Sequence, residues 1–159
     1  MIADATELAP WDSLPVEGRA AWAAFLRAHA TVVRALDAEL AAAHGVPLSS
    51  FDALVQLSLS EQGELRMAEL ADRVVLSRSG LTRLVDRLER ERLVERRRCA
   101  SDARAMYARI TPSGRKRLAQ VMPAHVDGIR RLFVGRLTAH ELRTLAAVLR
   151  RLCERGDGS

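Results

Sequence analysis

The sequence predicts a mainly α-helical fold carrying one small β-hairpin. Three observations lead there. Apolar residues recur three or four apart over most of 17–155. One stretch, 93–110, alternates instead. Ser, Thr, Gly or Pro signals bound each run. At 159 residues the chain is long enough to bury its own core, and 1–159 is read as a single domain.

Residues 1–16 contain Pro10 and Pro15 and no period, so an arm or short helix is expected. From 17 to 44, Trp22, Phe25, Leu26, Val33, Leu36 and Leu40 form the stripe of a long amphipathic helix, stopped by "HGVP". His29 shares that stripe and is expected to be buried, either as a core histidine or as a ligand contact. Ser49 or Ser50 then caps a helix bearing Phe51, Leu54, Val55 and Leu57, broken near Gly63. "MAELADRVV" at 67–75 is a short helix with Met67, Leu70, Ala71 and Val74 inward.

Ser77 caps the next helix, "RSGLTRLVDRLERERL". There Leu81, Leu84, Val85 and Leu88 point one way, and Arg78, Ser79, Thr82, Arg83, Asp86, Arg87 and Arg90 the other. Two short helices joined by a tight turn, the second with a polar and basic outer face, make a helix-turn-helix pattern. "LVERRR" at 93–98 and "RAMYARI" at 104–110 are the strands of a hairpin around "CASDA". Thr111 caps a further helix with Pro112 at its first position and Pro123 predicting a kink. "TAHE" at 138–141 is a capping box opening a last helix.

Charge is segregated along the chain. Residues 77–117 hold 13 Arg and Lys against 5 Asp and Glu, a local +8, which leaves −3 elsewhere. Such a block suits nucleic acid, although acidic proteins and lipid head groups are also open to it. Apolar stretches such as Ala20 to Leu26 fall far short of a membrane span. The acidic start resembles no secretory signal, so a cytoplasmic protein is expected. Cys99 and Cys153 lack the spacing of a metal site, and no phosphate-cradling, nucleophile-elbow or zinc-protease motif occurs. Neither an enzyme, a metal nor a cofactor is expected.

"PLSSFDALVQL", "MAELADRV", "LSRSGLTRLVDRLERERLVERR", the "DAR" of Asp102 to Arg104 and "ITPSG" follow one another in an order and spacing that resemble the MarR family of bacterial winged helix-turn-helix transcriptional regulators. The resemblance covers nearly the whole chain. It implies long dimerisation helices at 17–44 and 112–155 flanking a winged lobe at 48–110, which as a homodimer holds a pseudo-palindromic double-stranded DNA site. Ser77, Arg78, Ser79, Thr82 and Arg83 are the groove-reading candidates, because the first turns of such a helix lie deepest and arginine can grip guanine through two bonds. Arg87 and Arg90 are expected on phosphates or paired with Asp86 and Glu91.

Asp102 and Arg104 match the family's wing-tip motif, which implies an arginine in the minor groove and an aspartate holding the wing. Arg96, Arg97 and Arg98 alternate on a strand, so Arg96 or Arg98 is expected near the DNA backbone and Arg97 on the other face. The family usually has glycine where Arg92 stands, so a left-handed cap there is strained or the helix ends differently. Cys99 replaces the usual aspartate beside Arg97 and Arg98, as a thiol redox sensor or a plain loop cysteine. Cys153 is expected in core or dimer packing. The resemblance also implies a small aromatic or phenolic effector, with Trp22, His29 and Phe51 as candidate lining residues. The competing reading is a winged-helix module that docks a protein partner, or a thiol-based redox regulator.

Overall fold

The computed structural model describes residues 9–74, 76–98 and 105–154. In order it comprises α1 (Ala9–Asp12), α2 (Val16–His44), α3 (Leu48–Leu59), β1 (Glu64–Arg66), α4 (Met67–Arg73), α5 (Arg78–Arg90), β2 (Val94–Arg98), β3 (Met106–Ile110), α6 (Pro112–Leu132) and α7 (Ala139–Glu154). The chain packs as two units, residues 1–35 and 36–159. No described helix is long and apolar enough to cross a membrane.

The first unit holds α1 and the start of α2, joined by a bond from the Arg19 guanidinium to Asp12 Oδ1 at 2.5 Å. Along α2 the rings of Trp22, Phe25 and His29 follow one another at 6.0 and 6.4 Å between centroids. Trp22, Phe25, Leu26 and Val33 are exposed. The expectation that His29 is buried is corrected, because its ring is exposed too. A helical stripe is buried only where a second layer packs on it, and this unit is too small to supply one.

The second unit has one core. Leu36 and Leu40 from the end of α2, Phe51, Leu54 and Leu57 from α3, Leu70 from α4, four residues of α5, Val94, Ala108 and Ile110 from the sheet, and Leu118 and Val121 from α6 are all buried. Gly45, at φ 65°, ends α2 as expected. The cap of α3 differs from expectation: the helix starts at Leu48, whose N–H donates to Asp37 Oδ1 at 2.7 Å. A carboxylate eleven residues earlier thus replaces the serine cap, and Ser50 lies buried within the first turn.

The hairpin is joined by a third strand, in the order β1-β3-β2, all antiparallel. Val94 pairs Ile110 and Arg98 pairs Met106 on one side; Leu65 pairs Ala108 on the other. β1 carries no sequence signal of its own, because three residues are too few to establish a period; it pairs along the edge of β3 that β2 leaves free. Thr111 caps α6 by accepting the Gly114 N–H at 3.0 Å. The helix runs on through Pro123. The capping box is formed: Glu141 accepts the Thr138 N–H at 2.7 Å, and Thr138 Oγ1 accepts the Glu141 N–H at 3.3 Å. The Thr138 N–H and the Thr138 hydroxyl, which donates to the same Oε2 at 2.8 Å, hold the Glu141 carboxyl below its ordinary range. No residue of α7 is buried; Cys153 is exposed, which removes the core reading for it.

α5 ends in a tight reversal. The Arg92 N–H donates to Glu89 O and the Leu93 N–H to Leu88 O, both at 2.9 Å, with Arg92 at φ 59°. This is the Schellman geometry, in a left-handed conformation that costs a residue with a Cβ about 1–2 kcal/mol. The Leu93 carbonyl then accepts the Thr111 N–H at 3.0 Å and the Thr111 hydroxyl at 3.1 Å. It faces Gly114 so closely that an added Cβ would overlap its oxygen.

Two outcomes follow for thermal unfolding followed by circular dichroism. Arg92→Gly raises the melting temperature by about 2–4 °C, because relief of left-handed strain outweighs the entropy glycine adds to the unfolded chain by up to about 1 kcal/mol. Gly114→Ala destabilises by about 1–3 kcal/mol, since the Leu93 carbonyl and Ile110 must move to admit the methyl group.

Candidate nucleic-acid interface

α5 is built to be held on one side and open on the other. Leu81, Leu84, Val85 and Leu88 are at most 5% exposed, which fixes the helix against the core. The opposite face presents Ser77, Arg78, Ser79, Thr82 and Arg83, all exposed. Ser77 Oγ accepts the Gly80 N–H at 3.1 Å and lies 3.2 Å from Ser79 Oγ. Thr82 Oγ1 donates to the Arg78 carbonyl at 3.0 Å, which leaves its methyl group and lone pairs outward. The first turns of α5 are therefore a short hydroxyl-rich surface flanked by two arginines.

The remaining basic side chains divide sharply. Arg87 was expected on phosphates or beside Asp86 and Glu91; instead it donates to the buried Ser50 hydroxyl at 2.6 Å and ties α5 to α3. Arg96 is drawn onto α5. Its guanidinium pairs with Asp86 at 2.7 Å and with Glu89, and donates to the Thr82 carbonyl at 3.2 Å, while its N–H donates to Glu89 Oε1 at 2.8 Å. The side chain joins strand to helix, so of the two arginines offered for the backbone, Arg98 is the exposed one. Arg97 lies 3.8 Å from Glu64, consistent with alternation along the strand. Cys99, Asp102 and Arg104 lie outside the described residues.

Arg96 also acts electrostatically. Asp86 and Glu89 are acids on the very helix whose N-terminal face is basic, and one guanidinium meets both. Partly exposed pairs of this kind contribute about 0–1 kcal/mol each, so orientation and charge compensation matter more than stability.

Comparison with known proteins agrees with this geometry. A model of the MarR family matches residues 44–105. The transcriptional repressor MprA of Escherichia coli (strain K12) is 30% identical over 115 residues, 72% of this chain and 65% of MprA. The HTH-type regulator YkoM of Bacillus subtilis (strain 168) is 30% identical, over 68% of each chain. Among solved structures, Sco3205, a MarR family transcriptional regulator from Streptomyces coelicolor in complex with DNA, superposes with a TM-score of 0.82 at 33% identity, covering 89% of each chain. AbsC, a MarR family regulator from the same organism, gives 0.82 at 30% identity, with 92% and 98% covered. The chain belongs to the MarR family. Its match spans about two thirds of MprA's length, 65%.

In this MarR-family chain the matched segment contains α3, β1, α4, α5 and β2, so it includes the open face and the arginines that position it. Sequence reasoning missed the Arg87–Ser50 tie, set by a residue 37 positions away, and the joining role of Arg96, set by how β2 folds back on the preceding helix. It also missed His125, whose ring packs on Phe51 with centroids 4.4 Å apart. Phe51, named as a ligand-lining candidate, is 1% exposed and filled against that ring, which corrects the assignment. Trp22 and His29 keep exposed rings.

Burial holds the His125 imidazole below its ordinary pKa of 6.5, opposed by the charge of Asp52. Burial raises the Asp52 carboxyl, opposed by His125. The unfolded chain therefore protonates His125 first, and that part of the stability, present above the ordinary imidazole range, is lost as pH falls through it. Asp52 acts oppositely and at lower pH, since there the folded chain takes up the proton first. Melting between pH 7.5 and 5.5 is expected to show a falling midpoint, and His125→Phe, which keeps the ring contact, flattens that fall. An equal fall in the variant refutes the assignment.

Proposed function

We propose that this chain binds double-stranded DNA sequence-specifically as a homodimer at a pseudo-palindromic operator, repressing transcription in the cytoplasm until a small aromatic or phenolic effector releases it. The observation that carries the reading is α5, a helix buried to 5% exposure or less along one face while its first two turns present Ser77, Arg78, Ser79, Thr82 and Arg83 to solvent. A major groove admits one such helix, arginine suits guanine O6 and N7, and small hydroxyl residues let the backbone come close. The DNA complex of Sco3205 supports the same reading.

Both units leave apolar side chains uncovered, Trp22, Phe25 and Leu26 on α2 and Val148 and Leu152 on α7. Surface of that kind supports pairing with a second copy, and a two-fold dimer matches operators with half-sites one helical turn apart. Arg98 is assigned to the DNA backbone. For Asp102 and Arg104 the support is the family wing motif. Trp22 and His29 are the exposed aromatic groups for an effector.

Selection of bound duplexes from random DNA tests the proposal directly. A palindromic consensus is expected, with each mismatch costing about 1–3 kcal/mol. Arg78→Ala or Thr82→Ala changes which bases are preferred at one position of each half-site, whereas Arg104→Ala weakens binding without dissociating the dimer. Recovery of no consensus, or binding unaffected by salt, would remove the DNA-binding reading.

A further inference from the structure

A cleft of about 340 Å³ lies at the end of the sheet, where β3 passes into α6. Sites for small molecules have volumes of about 300–1,000 Å³ and fix their ligand through a few polar groups. Gln62, Glu95, Arg109, Thr111 and Arg115 line this one, and none of them belongs to the open face of α5. Strand order arranges their charges. Because β3 lies between β1 and β2, Arg109 stands opposite Glu64 on one side and Glu95 on the other. Glu64 is drawn toward Arg97, 3.8 Å away, and does not line the cleft. Arg115 reaches back from α6 and lays its guanidinium over Gly63, just before β1, where an added Cβ would overlap Nη2. The cleft therefore has a basic end at Arg115, a basic middle at Arg109 and an acidic end at Glu95 on β2.

These charged groups have no other task in the fold. Arg87, Arg96 and Arg117 of the same basic segment are tied to Ser50, to Asp86 and Glu89, and to the His44 carbonyl. Among the described residues, by contrast, the side chains of Arg109, Arg115 and Glu95 enter no hydrogen bond or ion pair. Two guanidinium groups on one cleft repel each other, and Arg109 is half-buried, so it has given up hydration without gaining a partner. Gln62, beside Arg115, is held at φ 62°. Such a conformation persists only where the surroundings enforce it, and it gathers at ligand sites.

We propose that this cleft binds a small amino acid, with its carboxylate held by Arg115 and Arg109 and its ammonium group by Glu95. A guanidinium can meet a carboxylate through two parallel N–H···O bonds. A carboxylate waiting at the other end suits a group that only donates, and an ammonium offers three donors. Inorganic phosphate or a dicarboxylate satisfies the arginines but leaves Glu95 facing a like charge. Thr111 lines the same cleft while its N–H and hydroxyl donate to the Leu93 carbonyl, so an occupant braces the joint between α5 and α6. The site stands apart from the DNA-binding reading, and its test needs no DNA.

Isothermal titration of the full chain with the common amino acids, and with succinate and inorganic phosphate for comparison, tests the assignment. At least one amino acid is expected to bind and to raise the melting temperature, whereas the same molecule without its amino group binds about tenfold more weakly or worse. Arg115→Gln and Arg109→Gln each lower the affinity about tenfold or more. Glu95→Gln makes the amino acid and its counterpart without the amino group bind alike. Lys116→Gln, at an exposed neighbour outside the cleft, leaves the affinity unchanged. Arg115→Gln breaks no bond among the described residues and should melt with the wild type; if Arg109→Gln fails to fold, the Arg115 and Glu95 variants decide. Binding by no amino acid, equal binding by succinate or phosphate, or an equal loss in Lys116→Gln overturns the assignment.

Discussion

The carbonyl oxygen of Leu93 is the point through which the second unit is organised. Arg92 enters the left-handed region so that Leu93 can turn out of α5, and the Leu93 carbonyl then meets the Thr111 N–H and hydroxyl at the start of α6. Gly114 is what lets α6 come so near. One peptide group therefore sets where α5 stops, where β2 begins and where α6 departs. Because packed interiors do not deform continuously, a change at this joint would reach the open face of α5.

The second level of organisation is the sorting of positive charge. A segment with a local excess of +8 suggests a uniformly basic surface. The folded chain instead assigns its arginines to different work. Arg87 and Arg117 are spent on Ser50 and the His44 carbonyl, Arg96 on two carboxylates, and Arg97 lies toward Glu64. What remains exposed lies at both ends of α5, at Arg78, Arg83, Arg90 and Arg92, along the outer part of β2, and at Arg115 and Lys116 at the start of α6. Ties of this kind cost or contribute little in free energy, but they hold a basic face at fixed geometry.

How much of this was legible depended on the range of the interaction. The α5 cap at Ser77, the Thr111 cap, the Thr138–Glu141 box and the alternation of Arg96 and Arg97 all involve residues within a few positions of each other, and local pattern disclosed them. The Asp37 cap of α3, strand β1 and the Phe51–His125 contact join residues far apart, and no local signal marks them. Arg92 lies between: its departure from glycine was visible, whereas only the backbone showed that the left-handed turn is kept at a cost.

The sequence by itself determined the order of helices, the hairpin and the polar face of α5, because period, capping and turn chemistry act over one or two turns of chain. Tertiary structure alone decided which arginines face solvent and which are ties, that Phe51 is filled by His125, and that His29 is exposed in its unit. The physical reason is that a long charged or aromatic side chain reaches several ångströms from its backbone. Its role is set by the partner it meets there, and that partner comes from another part of the chain.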